Sequence, residues 1–140
     1  MTGLRYFEDY PTGTTTDCGS VSVDQAQIIS FARQFDPQPF HVDPVAAADG
    51  PFGGLIASGW HTAALVMRQI VDNYVAAESS LGALGLDELR WPHPVRPGDT
   101  LRVRVTICDR WGLHSLYGGL CLCGIMAEPL PARRQIELFL

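Results

Sequence analysis

The stretch Ser58–Val75, SGWHTAALVMRQIVDNYV, decides the architecture. Ala63, Ala64, Leu65, Val66, Met67, Ile70, Val71, Tyr74 and Val75 cover most of a helical wheel, and no proline interrupts them. A helix apolar nearly all round belongs in the middle of a fold, covered by other elements. It is not a membrane span. Its mainly apolar part, Gly59 to Val71, is too short and contains His61, Arg68 and Gln69.

Downstream lies the covering material. Thr100 to Ile107 reads TLRVRVTI, with Leu101, Val103, Val105 and Ile107 on one face and Arg102, Arg104 and Thr106 on the other. That alternation predicts a strand with one buried face, entered through the turn Pro97-Gly98-Asp99. Leu116 to Met126 and Gln135 to Leu140 read as further strands, residues 14–21 as a first edge strand, and residues 78–88 as a loop.

Upstream, Asp24-Gln25-Ala26-Gln27 is a capping box, with Val23 and Ile28 as its hydrophobic staple. Ile28, Phe31, Ala32 and Phe35 then recur at i, i+3, i+4 and i+7, one apolar face of a helix of about three turns. Asp36-Pro37 ends it, because the residue before proline is pushed out of the helical region. Asp43-Pro44 signals a second, short helix, and Asp49 to Gly54 a turn-rich loop. The order is strand, helices, then hairpin-connected strands, an α+β pattern rather than a repeated βαβ one. One long central helix calls for a curved sheet around it. The expected fold is therefore an antiparallel sheet wrapped around a long central α-helix, the hot-dog arrangement, as a single domain over residues 1–140.

Composition narrows the function. The chain has 140 residues, 46% of them apolar and 18% charged, so it folds around a real core. Ten basic residues, all arginine, stand against fifteen acidic ones, giving a net charge of -5. This balance argues against nucleic acid as a partner. No apolar run suits a membrane, and the N-terminus MTGLRYFEDYPTG lacks the pattern of a signal peptide. Cys18, Cys108, Cys121 and Cys123 show no CxxC spacing, which points to a reducing, cytoplasmic compartment. In a strand Cys121 and Cys123 share one face near Cys108 and His114, but they read better as small packing hydrophobes than as metal ligands. No metal site is expected.

Chemistry concentrates in residues 32–62, ARQFDPQPFHVDPVAAADGPFGGLIASGWHT. Asp36 and His41 are five residues apart, with Pro37 and Pro39 between them. The prolines exclude a regular helix and stiffen the path, so a carboxylate and an imidazole can be held at a set distance. Such a pair can move a proton near neutral pH. The spacing alone better suits a capping aspartate beside an ordinary histidine, so proton chemistry is only a candidate here. Ser58-Gly59-Trp60 opens the central helix, whose first amides lack intrahelical partners and can face developing negative charge. Gly59 would let a carbonyl approach closely. The plainer alternative is an N-cap serine followed by a packing glycine.

The run FDPQPFHVDPVAAADGPFGGLIASGWHT resembles the signature of MaoC-like dehydratases, relatives of (R)-specific enoyl-CoA hydratases. The start Tyr6-Phe7-Glu8-Asp9-Tyr10-Pro11-Thr12-Gly13 and the later Leu89-Arg90-Trp91 and Pro94-Val95-Arg96-Pro97-Gly98-Asp99-Thr100 resemble the family too. The likeness spans about residues 5–107. The tail, residues 111–140, departs from it with a Gly/Cys/Leu-rich run where long charged hairpin strands are usual. The resemblance implies a hydro-lyase that reversibly hydrates a trans-2-enoyl-CoA to a (R)-3-hydroxyacyl-CoA. It implies Asp36 and His41 as the catalytic pair, a Gly59 amide toward the thioester oxygen, and Ser58 and Trp60 beside the substrate. It also implies an acyl-CoA substrate that carries its own CoA, no other cofactor, and a homodimer.

Two rivals follow from the same residues. A hot-dog thioesterase would want a carboxylate on the central helix, and none lies between Trp60 and Val71. A non-catalytic acyl-CoA-binding or partner module would fit the unusual tail. Arg90, Arg96, Arg102 and Arg104 could grip phosphates, although a solvated strand face is the simpler reading. His61 reads as a satisfied core or pocket histidine, His93 as a surface one. Trp60 and Trp91 read as pocket, interface or core residues.

Overall fold

The strand expected at Thr100 to Ile107 forms the spine of a five-stranded antiparallel sheet. The computed structural model describes residues 5–80, 85–86, 88–111, 120–130 and 136–139, with side chains as far as Asp109. The strands are β1 (Thr15–Ser22), β2 (Glu88–Arg90), β3 (Thr100–Trp111), β4 (Leu120–Leu130) and β5 (Ile136–Phe139), in the spatial order β1-β3-β4-β5-β2. Leu101, Val103, Val105 and Ile107 are buried and Arg102 is exposed, as the alternation requires. β1 pairs with β3 through a register shift between Asp17 and Ser20, where Gly19 takes a φ of 81°. A left-handed residue in the ladder is a place for glycine.

The helices are α1 (Gln25–Phe35), α2 (Pro39–Val42), α3 (Pro44–Ala48) and α4 (Gly59–Asn73). Asp24 caps α1 by accepting from the Gln27 amide at 3.0 Å. Asp43 caps α3 by accepting from Val45 and Ala46 at 2.9 and 3.1 Å. The long helix packs His61, Thr62, Val66 and Ile70 inward. Its far end is tied to the sheet by Asn73, which donates to the Cys18 carbonyl at 3.1 Å. The fold is thus the α+β, helix-on-antiparallel-sheet arrangement expected from the sequence.

Several local expectations are corrected. The prolines do not keep the Asp36–His41 segment irregular throughout. Pro39 sits at the first position of α2, where its missing N–H and fixed φ are no handicap. Phe35 does not face the core but is 64% exposed, its ring 4.9 Å from Phe31. The long helix is not buried all round, since Trp60, Met67 and Val71 lie on an exposed face with Ala64. Residues 78–88 are not all loop, because Glu88 begins β2, which pairs with β5. Three residues are too few to show a period. The unusual tail forms β4 and β5. Eleven residues of β4 pair along β3. Residues 116–119, 135 and 140 of the expected strands lie outside the described residues.

Candidate active site

The turn that ends α1 and the helix α2 bring two distant chain segments together. Asp36 is the C-cap of α1, its amide donating to the Ala32 carbonyl at 2.8 Å. Three residues later α2 begins, and His41 lies on its inner side, buried. The His41 ring is braced from both sides. Its Nδ1 lies 2.8 Å from the Ile56 carbonyl, which can only accept, so Nδ1 carries the proton and donates. Its Nε2 lies 3.3 Å from Asp36 Oδ2. The Ile56 amide donates in turn to the Phe40 carbonyl at 3.1 Å. The Phe40 ring stands edge-on to His41 at 4.5 Å and to Phe52 at 5.2 Å.

Asp36 is held by two further donors. Gln38 Nε2 donates to Oδ1 at 2.7 Å, and Ser58 Oγ donates to Oδ2 at 2.7 Å. The Gln38 bond does most to hold the carboxyl below the usual carboxylate range. Partial burial opposes the shift, and Ser58 and the His41 charge add to it. Because folding lowers this pKa, these hydrogen bonds stabilise the fold at neutral pH. That contribution is lost as the pH falls through the folded-state value.

This geometry has a chemical consequence. In neutral His41 the proton sits on Nδ1, so Nε2 presents a lone pair. That lone pair faces an ionised carboxylate oxygen. Two acceptors this close are satisfied only by a shared proton donor: a water donating toward both, or a proton bound on Nε2 itself. At 3.3 Å a water fits beside the pair rather than between its members.

Ser58 is the N-cap of α4 by position, but its side chain makes no capping bond. The hydroxyl is spent on Asp36 instead. Ser58 is fully buried, so the serine serves the carboxylate and not the helix. Gly59 opens α4, and its amide has no acceptor among the described residues. The need for glycine there has a visible source. A Cβ on Gly59 would lie 2.5, 2.7 and 2.9 Å from three ring atoms of Trp91. Trp60 does not pack in the core but is 58% exposed, edge-on to Trp91 at 5.6 Å.

Of the other candidates, Arg102 pairs with Asp17 and Arg90 with Glu88 on the outside of the sheet. Arg96 reaches the Phe52 carbonyl at 2.5 Å, beside the loop that frames Phe40. His93 is exposed, as expected. His61 is buried, and its Nδ1 has no hydrogen-bond partner among the described residues. Burial lowers its pKa, so it costs stability as the pH falls below the ordinary value of 6.5, where the unfolded chain gains a proton the folded one resists. No helix among the described residues is long and apolar enough to cross a membrane. Cys121 and Cys123 fall on β4, beyond the described side chains.

Sequence reasoning singled out Asp36 and His41 but not Ser58 as a donor to the carboxylate. An amide two residues after Asp36, as in Gln38, is placed to reach back to it. Nothing in the sequence linked Ser58 to Asp36 or Gly59 to Trp91.

The chain is similar to known proteins of one family. Residues 9–112 match the family model described as MaoC like domain. A crystal structure of a MaoC-like dehydratase from Rhodospirillum rubrum superposes with a TM-score of 0.84 at 37% identity, covering 98% of this chain and 95% of that one. The 3-hydroxybutyryl-CoA dehydratase of Methylorubrum extorquens is 30% identical over 127 residues, 89% of this chain and 78% of that protein. The 3-hydroxyacyl-thioester dehydratase Z of Mycobacterium tuberculosis is 41% identical over 88 residues, 61% of this chain. That match spans 57% of the mycobacterial protein's length. The matched share of the Protein MaoC of Klebsiella aerogenes is smaller, at 31%.

The contact between Gly59 and Trp91 yields a measurable expectation. Gly59→Ala should cost about 1–3 kcal/mol in urea denaturation, the usual penalty of overpacking. Most of that loss should vanish in a Trp91→Ala background, where the methyl has room. Equal costs in both backgrounds would show that the indole is not what requires glycine.

Proposed function

The chain belongs to the MaoC-like domain family, and from that premise we propose that it is a hydro-lyase acting on acyl thioesters. The reaction is the reversible addition of water to a trans-2-enoyl-CoA, giving a (R)-3-hydroxyacyl-CoA. The observation that carries the reading is the pairing of His41 Nε2 with Asp36 Oδ2 at 3.3 Å, with Nδ1 committed to the Ile56 carbonyl. The named dehydratases among the relatives support the reaction class.

The steps follow from the groups present. A water beside the pair gives a proton to His41 Nε2 as its oxygen bonds to the β-carbon of the enoyl group. Electrons move through the double bond onto the thioester oxygen, which is left enolate-like. The Gly59 amide and the positive end of α4 stabilise that oxygen. The imidazolium, held beside the Asp36 carboxylate, then returns its proton to the α-carbon on the same face. Asp36 remains ionised, kept so by Gln38 and Ser58. The chain's own acid–base groups suffice for this route, so no cofactor beyond the CoA of the substrate is assigned. Ser58 acts by orienting Asp36, and Trp60 flanks the helix N-terminus where the thioester would lie.

The thioesterase alternative is weakened by the position of the acidic groups. The only carboxylate on α4 is Asp72, 40% exposed and paired with Arg68 at 2.7 Å, far along the helix from Ser58. A binding module without turnover remains the reading to exclude by assay. With crotonyl-CoA the enoyl absorbance should fall while the CoA thioester stays intact. Asp36→Asn and His41→Ala should each lower kcat by about two to four orders of magnitude, the usual worth of a positioned acid or base. Release of free thiol, binding without turnover, or near wild-type rates in either folded variant would overturn the proposal.

The protein is further proposed to work as a homodimer. Trp60, Ala64, Met67 and Val71 recur at intervals of four, three and four along the exposed side of α4. That spacing forms a continuous stripe suited to a second helix. C2 pairing is the commonest way to cover such a face. Light scattering should give twice the chain mass, and Met67→Asp should reduce it to the single chain. A monomeric wild-type protein would contradict this.

A further inference from the structure

His61 carries the one buried side-chain nitrogen or oxygen without a hydrogen-bond partner among the described residues. Its residue is 5% exposed, and its ring stacks on Phe31 at 5.0 Å and 24°. Leaving a buried polar atom unpaired costs free energy that a leucine or phenylalanine at this position would not. Such an atom calls for a reason. Its location supplies one, because His61 lies three residues after Ser58 on α4 and so on the same side of the helix. Ser58 is bonded to Asp36, which places His61 one turn inward from the paired acid–base groups. The Phe31 it stacks on belongs to α1, the helix that ends at Asp36.

We propose that His61 is a specificity residue whose Nδ1 hydrogen-bonds an oxygen on the acyl chain of the substrate, beyond the carbons that react. This rests on the hydratase reading and deepens it. If the thioester oxygen lies at the first amide of α4, the CoA end extends outward and the acyl chain extends inward, past His61. Burial disfavours the imidazolium, and a neutral imidazole can donate to a keto or carboxyl oxygen or accept from a hydroxyl, according to tautomer. The favoured class is therefore an enoyl thioester whose chain carries a hydroxyl, keto or carboxyl group rather than a plain alkyl end. A site with a fixed polar group discriminates against the analogue that leaves it unpaired.

The experiment compares trans-2-hexenoyl-CoA with its 5-oxo and 6-hydroxy analogues, using crotonyl-CoA as the reference for basal hydration. Wild-type protein should prefer at least one oxygenated chain by about tenfold or more in kcat/KM. His61→Phe keeps the ring stack and removes the nitrogens. It should erase that preference, retain crotonyl-CoA hydration, and raise the thermal midpoint by about 2–4 °C. His61→Asn keeps a hydrogen-bonding atom near the position of Nδ1 and should retain part of the preference. His61→Leu provides a second apolar variant should phenylalanine not be accommodated. Loss of crotonyl-CoA hydration by the wild type would sink the hydratase reading itself. Hydration with a preference for the plain chain, or a preference unchanged in the apolar variants, would overturn the role of His61 alone. So would a lowered or unchanged midpoint in those variants, since it would mean that Nδ1 is already satisfied by a structural water or a second copy of the chain.

Discussion

The carboxylate of Asp36 joins three parts of the chain that would otherwise have no reason to meet. Its own loop reaches it through Gln38, helix α2 through His41, and the start of α4 through Ser58. A second tie runs from His41 to the Ile56 carbonyl, two residues before Ser58. The ring is therefore clamped between the segment that precedes α4 and the residue that α4 holds. The closure matters more than any one of its hydrogen bonds, because removing the carboxylate leaves Ser58 Oγ buried without its acceptor. An unmade bond of that kind costs about 1–3 kcal/mol. The same closure sets where the first amides of α4 point, so structural and chemical demands fall on one side chain.

Helix α4 has two apolar faces with different tasks. His61, Thr62, Val66 and Ile70 pack toward the sheet, against a core that includes Val103 and Val105. Trp60, Ala64, Met67 and Val71 stay outside. Only the first face is explained by this chain alone. The inward face also holds the group least suited to a core, an imidazole whose Nδ1 has no partner among the described residues, at the end nearest the acid–base pair. Local rules are most often broken where function requires it. The break at His61 and the serine that forgoes its capping role lie three residues apart, at the end of α4 that Ser58 ties to Asp36.

Much of this was legible from the sequence where a single physical rule dominates. The period of two in Thr100–Ile107 located β3, and Asp24 and Asp43 capped the helices they precede. Asp36 and His41 could be named because an acid and an imidazole on a proline-stiffened path suggest their own chemistry. The failures came where two rules compete. Pro39 was read as a helix breaker, yet at the first position of a helix proline is favoured. Phe35 matched the apolar period of α1 but lies on the last turn, past the edge of the core. Ser58 matched a cap, yet its hydroxyl caps nothing and donates instead to the part-buried Asp36 carboxylate. Gly59 answers to Trp91, thirty-two positions away in sequence, and no local pattern carries such a contact.

The central claim is that Asp36 is an ionised hub held by Ser58 and Gln38 against His41. The most direct measurement is an NMR titration of its side-chain carboxyl carbon in wild-type protein and in Ser58→Ala. The account predicts that the wild-type signal stays ionised as the pH falls below the usual carboxylate range, and that losing the Ser58 bond moves the midpoint upward. A wild-type carboxyl that titrates at its ordinary value, with no change in Ser58→Ala, would contradict it.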